Sequence, residues 1–214
     1  MSHIFLEMTM TLDGFTAAPA VSLEDPLGVG GERVQEWLGG NFVGAFSGGG
    51  TEGAPDASPD EIDRSVAARM FESTGAFVIG RRTFDVGEGP WGDDPVFEGR
   101  PVFVVTTRDR EPFERGGSRY EFVTGGVAEA VARADDAAAA ASVCIMGGAD
   151  VARQALALGL VHEVRLHLAP VLLGGGARLF PDSSPHRIEL DPLGVQQGAL
   201  ATHLRYRVRA DADR

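Results

Sequence analysis

Cysteine is nearly missing from this chain. Cys144 is the single one in 214 residues, so no intrachain disulfide can form and a reducing, cytoplasmic compartment is expected. It sits in a strand-like run, where a buried small hydrophobe is favoured over a catalytic thiol. Long apolar runs are also absent, and none reaches the length of a membrane span. The start, MSHIFLEMTMTLDGF, has neither a basic n-region nor a long apolar h-region, so it does not read as a signal peptide. Positive charge is scarce. Lys and Arg total 19 against 31 Asp and Glu, a net charge of −12, which argues against a broad nucleic-acid footprint. A local basic spot for one small anion is compatible with that balance. The five histidines (His3, His162, His167, His186, His203) show no metal-ligand spacing with one another or with Cys144. His162 and His167 are five apart in a strand-like stretch and so point to opposite faces. No metal site is expected. No G-x-x-x-x-G-K-[ST] loop occurs, which disfavours kinase-like phosphate chemistry, and no G-x-G-x-x-G follows the first strand.

What is present suits one α/β domain. Hydrophobic residues make up 43% and charged residues 23%, ordinary globular values that allow a proper core. Residues 3–12 read as a first strand, broken by Asp13-Gly14. Residues 19–30 read as loop, and Glu32 to Leu38 as a short helix. Residues 39–60 are dense in Gly, Ser and Pro and read as a surface loop or lid within a single domain spanning 1–214. Ser58-Pro59-Asp60-Glu61 opens a helix with cap, first-turn proline and early acids, and Gly75 ends it. Buried strands follow at 76–79 and 101–105, with residues 84–100 irregular between them. A short strand at 120–123, a helix at 127–141, a strand at 143–146 and a helix at 150–159 continue the alternation. Such alternation predicts a largely parallel sheet covered by helices. Residues 162–173 and 199–209 are strand-like with no helix between, which predicts an antiparallel pair at one side.

Ligands of open α/β sheets gather beyond the carboxyl ends of the parallel strands. Three such ends carry one kind of chemistry. Gly80-Arg81-Arg82-Thr83 follows 76–79, Thr106-Thr107-Arg108 follows 101–105, and Gly147-Gly148-Ala149-Asp150 follows 143–146. Glycines, hydroxyls, arginines and helix N-termini are the tools for holding a phosphorylated ligand. A plain alternative exists for each: surface arginines, a capping Thr83, and a tight turn with Asp150 as helix cap.

The ordered set LDGF, GRRTFD, VVTTR, MGGAD and LAPVLLGGGARLF resembles the dihydrofolate reductase superfamily, and more closely the reductase domain of bacterial riboflavin biosynthesis and its stand-alone relatives. The resemblance spans nearly the whole chain and is weakest over 19–60. It implies a mixed, mostly parallel sheet flanked by helices, NADPH as cofactor, and reduction of a small heterocycle of pyrimidine or pterin type. By matching motif it implies that Arg81, Arg82 and Thr83 hold cofactor phosphates, and that Thr106, Thr107 and Arg108 border the 2′-phosphate end. Gly80 and Gly147 to Val151 (Gly147, Gly148, Ala149, Asp150, Val151) would form the close turn and helix start, with a cis peptide between the two glycines. On the substrate side Asp13 is the candidate catalytic acid, and Gly14, Trp37, Trp91, Leu173 and Gly174 are candidate contacts. The early helix has Val34 where dihydrofolate reductases proper carry an acid three residues before an aromatic, with Glu32 and Glu36 out of register, which weighs against folate. Dihydrofolate reductase proper and a non-catalytic NADPH-binding sensor stay open as alternatives. The segment LHLAPVLLGG, 166–175, is the expected homodimer contact.

Overall fold

The computed structural model describes residues 2–39, 58–180 and 187–209. The central strand β1 (Ile4–Thr11) is buried along almost its whole length, its polar residues Glu7, Thr9 and Thr11 included. That pattern belongs to a strand covered on both faces, as in a parallel sheet under helices. Its parallel neighbours are β7 (Ser142–Ile145) on one side and β8 (Glu163–Ala169) on the other. Beyond β7 come β3 (Thr74–Gly80), β4 (Val102–Val105) and β6 (Ser118–Val123), all parallel, and then the short antiparallel β5 (Phe113–Arg115). Beyond β8 come β11 (Thr202–Val208) and β10 (Leu190–Gln197), both antiparallel. The order in this nine-stranded sheet is β10-β11-β8-β1-β7-β3-β4-β6-β5. A separate small pair joins β2 (Phe15–Ala17) to β9 (Ala177–Arg178).

Among the described residues, four helices cover the sheet. Helix α1 (Glu61–Ser73) begins with a capping box: Asp60 accepts from the Asp63 amide at 2.8 Å, and Asp63 accepts from the Asp60 amide at 3.2 Å. Helix α2 (Arg81–Trp91) follows β3 directly, and α4 (Ala149–Ala157) follows β7 after two glycines. Helix α3 (Val127–Ala137) and α4 press Val131, Ala134, Ala152 and Ala155 onto Ile4, Leu6, Val78 and Ile145. On the other face Met70 of α1 and Phe84 and Trp91 of α2 pack on Phe5, Phe77, Ile79 and Cys144. Side-chain alternation along β1 thus sends Ile4, Leu6 and Met8 one way, and Phe5, Glu7 and Thr9 the other. No helix among the described residues is long and apolar enough to cross a membrane.

Several sequence expectations need correction. Residues 84–91, expected to be irregular, belong to α2; Gly87 lacks a Cβ where the Trp91 ring lies, and Pro90 comes only in the final turn. Glu32–Leu38 forms two 3-10 turns (Glu32–Val34 and Glu36–Leu38) in place of one helix. Gly75 lies inside β3 and does not end the preceding helix. The C-terminal antiparallel group has a third strand, β10, which the sequence reading missed, and β8 is also paired parallel to β1. The segment 166–175 therefore starts within an interior strand, and the sheet edge on that side is β10. Most of the expected lid, residues 40–57, lies outside the described residues.

Candidate functional site

Parallel strands place their carboxyl ends side by side, and a cavity of about 1020 Å³ opens there. Its size is that of a cofactor-plus-substrate cleft. One wall is built from three helix starts. The N-caps of α2, α3 and α4 are Gly80, Gly126 and Gly148, and none of the three makes a side-chain cap hydrogen bond. All three line the cavity. The first amides of a helix have no partner within it and carry the positive end of its dipole. Three such ends around one space favour negative charge there.

The glycine turn is pinned from two sides. The Gly80 amide donates to the Gly147 carbonyl at 2.7 Å, and the Met146 amide to the Val78 carbonyl at 3.0 Å. The Gly147–Gly148 peptide is cis, and Gly147 has φ +114°. A Cβ on Gly147 or Gly148 would come 3.4 or 3.3 Å from Thr83 Oγ1, so the Thr83 hydroxyl already occupies the space beside the turn. Asp150 does not cap α4, in contrast to expectation; its carboxylate accepts from Gln154 Nε2 at 2.7 Å and Arg153 Nη2 at 3.2 Å.

The arginines are less free than the sequence implied. Arg81 Nε contacts Asp85 Oδ1 at 2.6 Å, and Arg108 Nη2 contacts Asp85 Oδ2 at 2.9 Å. One carboxylate thus holds two of the three candidate guanidiniums. Arg82 donates to the Val21 carbonyl at 3.2 Å. Thr106 Oγ1 accepts from the Arg108 amide at 3.0 Å, which shapes the turn after β4. Gly80, Arg81, Arg82, Thr83, Thr106, Thr107 and the whole of Gly147–Val151 line the cavity, whereas Arg108 does not.

The substrate-side candidates divide. Trp37 and Trp91 reach the cavity wall, though each is only 2% exposed. Trp37 Nε1 donates to Thr9 Oγ1 at 2.9 Å, and its ring lies 4.0 Å from that of His167. Asp13, Gly14, Leu173 and Gly174 lie off the cavity. The Asp13 carboxylate accepts from the Thr11 hydroxyl and from the Leu173 and Gly174 amides, tying the end of β1 to the glycine loop. The Thr11 hydrogen bond, against some desolvation and with help from the two amides, holds its pKa below the ordinary carboxylate value. The carboxylate so held clamps the loop to the end of β1. Sequence reasoning missed Glu7, Thr9, His167, Arg153 and Arg178, which line the cavity, and Asp85 behind the arginines. One signal was available: Glu7 is the ionisable residue within the strand IFLEMTMT.

The fold and this arrangement define a mixed, mostly parallel α/β protein of the dihydrofolate reductase-like class. The chain belongs to the RibD C-terminal domain family, whose sequence model matches residues 2–204. Solved structures agree. A putative riboflavin biosynthesis protein from a Shewanella species superposes with TM-score 0.65 at 20% identity, covering 98% of this chain and all of that one. A pyrimidine reductase-like protein from Corynebacterium diphtheriae gives TM-score 0.60 at 14% identity, with 98% and 93% covered. The diaminohydroxyphosphoribosylaminopyrimidine deaminase/5-amino-6-(5-phosphoribosylamino)uracil reductase of Thermotoga maritima gives 0.58 at 14% identity, covering 97% of this chain and 57% of that one. No curated protein matches the chain by sequence.

Proposed function

We propose that the protein is an NADPH-dependent reductase of a small pyrimidine-type heterocycle. The observation that carries this reading is the convergence of three uncapped, glycine-started helices on one large cavity beside Arg81 and Arg82. A dinucleotide diphosphate matches that cradle in charge and in its need for close backbone approach. When bound, the nicotinamide supplies a hydride. The chain's own residues bind and enclose. The α2 and α4 amides and Thr83 would hold the cofactor's phosphates, and the Arg81 and Arg82 guanidiniums would add charge. Met8, Trp37 and Leu38 supply apolar wall that keeps water from the reacting centre. The substrate class follows the RibD family membership and the uracil derivative in the Thermotoga protein's title.

Titration with NADPH and NADH, followed by absorbance of NADPH with 5-amino-6-(5-phosphoribosylamino)uracil, tests the reading. Preference for NADPH and oxidation dependent on the pyrimidine are expected. Tight NADPH binding with no turnover on pyrimidines or pterins makes the protein a sensor instead, and absence of binding overturns the cofactor assignment. The reading includes a homodimer. What supports it is the outer edge of β10, unpaired among the described residues, with Leu190, Leu193 and Val195 exposed. Light scattering at micromolar concentration is expected to give twice 22.6 kDa, and a monomer mass removes the dimer.

A further inference from the structure

A chain of buried ionisable groups runs across the sheet, and the cofactor cradle makes no use of it. Glu7 Oε1 lies 2.8 Å from His167 Nε2. His167 Nδ1 lies 2.8 Å from His203 Nδ1. His203 Nε2 lies 3.0 Å from Asp63 Oδ1. The four residues are 4%, 2%, 3% and 0% exposed. Their alignment follows from strand register: Thr9 pairs with His167 and His167 with His203, while Glu7 sits one same-face step back on β1. Asp63 reaches the row from the first turn of α1.

Proton counting makes the chain informative. Two imidazoles facing each other through Nδ1 need one proton between them, because a bare nitrogen cannot donate and two N–H groups cannot accept. Each Nε2 contact to a carboxylate needs one more. Three hydrogen bonds therefore hold three protons. If both carboxylates are ionised, the two rings share one positive charge. If instead the extra proton sits on Glu7 or on Asp63, both rings are neutral. These forms differ only by short hops along the hydrogen bonds. The chain thus stores one transferable proton.

The chain meets two spaces from its Glu7 end, and Asp63 lines neither. Glu7 and His167 line the reductase cavity. They also line a second cavity of about 550 Å³, together with His203, on the side of Arg69 and Arg205. The surrounding charges leave the chain to itself. Glu163 takes Arg165 Nε at 2.8 Å, Arg205 Nε at 2.7 Å and His3 Nε2 at 3.2 Å. Arg165 Nη1 stands 3.4 Å from the other Glu7 oxygen, Oε2. Asp60 is engaged in the helix cap with Asp63, and the Trp37 ring covers the cleft side of His167. Burial, and then the neighbouring His167, push the His203 pKa below the ordinary imidazole value. Burying two carboxylates and two imidazoles is costly where apolar residues would pack as well, so a purely structural role is a poor account of the row.

We propose that Glu7 is the proton donor to substrate in the reductase cleft, recharged from the second cavity that it also lines, and that His167, His203 and Asp63 form with it a relay of hydrogen bonds that shares and positions its proton. The inference rests on the reductase reading above. Reduction of a C=N or C=O bond adds a hydride to carbon and a proton to the heteroatom. The two electrons travel with the hydride from the dihydronicotinamide, which becomes the oxidised nicotinamide. The proton leaves Glu7 as its carboxylate forms, and water in the second cavity, which Glu7 also lines, restores it there. Nothing in the relay changes oxidation state. Glu7 is the catalytic member, and His167, His203 and Asp63 act through it.

Three measurements test the proposal. In protein labelled with ¹⁵N-histidine, a through-hydrogen-bond coupling between the two Nδ1 nuclei is expected near neutral pH, and its absence overturns the relay whatever the substrate. Glu7→Gln keeps the shape but removes the transferable proton. It is expected to lower kcat for NADPH oxidation with the pyrimidine about 100-fold or more, with the NADPH Kd unchanged. His203→Gln is expected to lower kcat about tenfold, to displace its pH profile and to leave KM within about twofold. These magnitudes are those of general acid catalysis. His203→Gln is preferred to an Asp63 variant because Asp63 also caps α1. Folded variants with wild-type kcat and pH profile overturn the relay while the reductase reading stands. A wild-type protein that never oxidises NADPH overturns the reductase reading itself.

Discussion

Replacing Gly148 by alanine separates a cofactor cradle from an ordinary surface turn. Gly148 has φ −83°, which alanine adopts freely, so backbone strain is not part of the effect. The new Cβ would lie 3.3 Å from Thr83 Oγ1. That contact asks the hydroxyl to move by a few tenths of an ångström, and a half-buried threonine beside an open cavity can do so at a cost well under about 1 kcal/mol. Stability is therefore expected to change little. Binding is another matter. A methyl group at the mouth of α4 pushes an anionic ligand away from the first-turn amides. Losing one charge-assisted hydrogen bond costs about 1.5–3 kcal/mol, or roughly tenfold to a hundredfold in Kd. Gly147→Ala is the contrasting variant. Its φ of +114° is unfavourable for any residue with a Cβ. About 1–3 kcal/mol of strain is expected, which lowers Tm by roughly 3–10 °C in a chain of this size. Thermal melting checks the fold, and fluorescence titration with NADPH reads the affinity. A folded Gly148→Ala protein with wild-type NADPH affinity refutes the placement of the diphosphate at this turn.

Asp85→Asn removes the charge that holds Arg81 and Arg108, so NADPH is expected to bind about threefold to tenfold more tightly while NADH changes little, read by competitive titration of both cofactors. Equal changes for the two cofactors place the 2′-phosphate elsewhere. Glu163 is pushed up by burial, but hydrogen bonds from Arg205 and Arg165 outweigh this and bring its pKa down to about 2 from the ordinary 4.5. A depressed carboxylate stabilises the fold above its unfolded pKa, and the contribution is lost as pH falls from about 4.5 toward 2; it is on the order of 3 kcal/mol. Urea denaturation of wild type and Glu163→Gln at pH 7 and pH 3 is expected to show the larger difference at pH 7, and a constant difference contradicts the assignment. Trp37→Phe leaves the buried Thr9 hydroxyl without its indole donor and is expected to cost about 1–3 kcal/mol by denaturant titration, whereas no loss means that the bond is not stabilising.

Much of the architecture was legible in local sequence. The apolar runs at 76–79, 101–105 and 143–146, the capped start at Asp60 and the Gly147-Gly148 break follow from short-range chemistry, and the structure places them close to where that chemistry does. The helix over 84–91 was hidden because Gly87, Gly89 and Pro90 read locally as breakers, while packing of Phe84 and Trp91 on the sheet outweighs them. Strand β10 was hidden because its residues are almost all exposed and carry no alternation; only pairing with β11 makes it a strand.

The candidate site divides in the same way. The strand-end motifs Gly80–Thr83 and Gly147–Val151 were readable because each is contiguous, and a strand followed at once by a helix fixes where its amides point. The clamp on Asp13 depends on Leu173 and Gly174, about 160 residues away. The arginine pair depends on Asp85, whose partners Arg81 and Arg108 come from two different strand ends. The Glu7–His167–His203–Asp63 row joins residues separated by 160, 36 and 140 positions. Composition and spacing contain each of those residues but not their adjacency. Adjacency is set by strand order and register, since a shift of one residue sends every side chain of a strand to the opposite face. The sequence by itself therefore determined which backbone could cradle an anion, and only the tertiary structure decided which charges meet, because buried ionisable groups find their partners across strands and not along them.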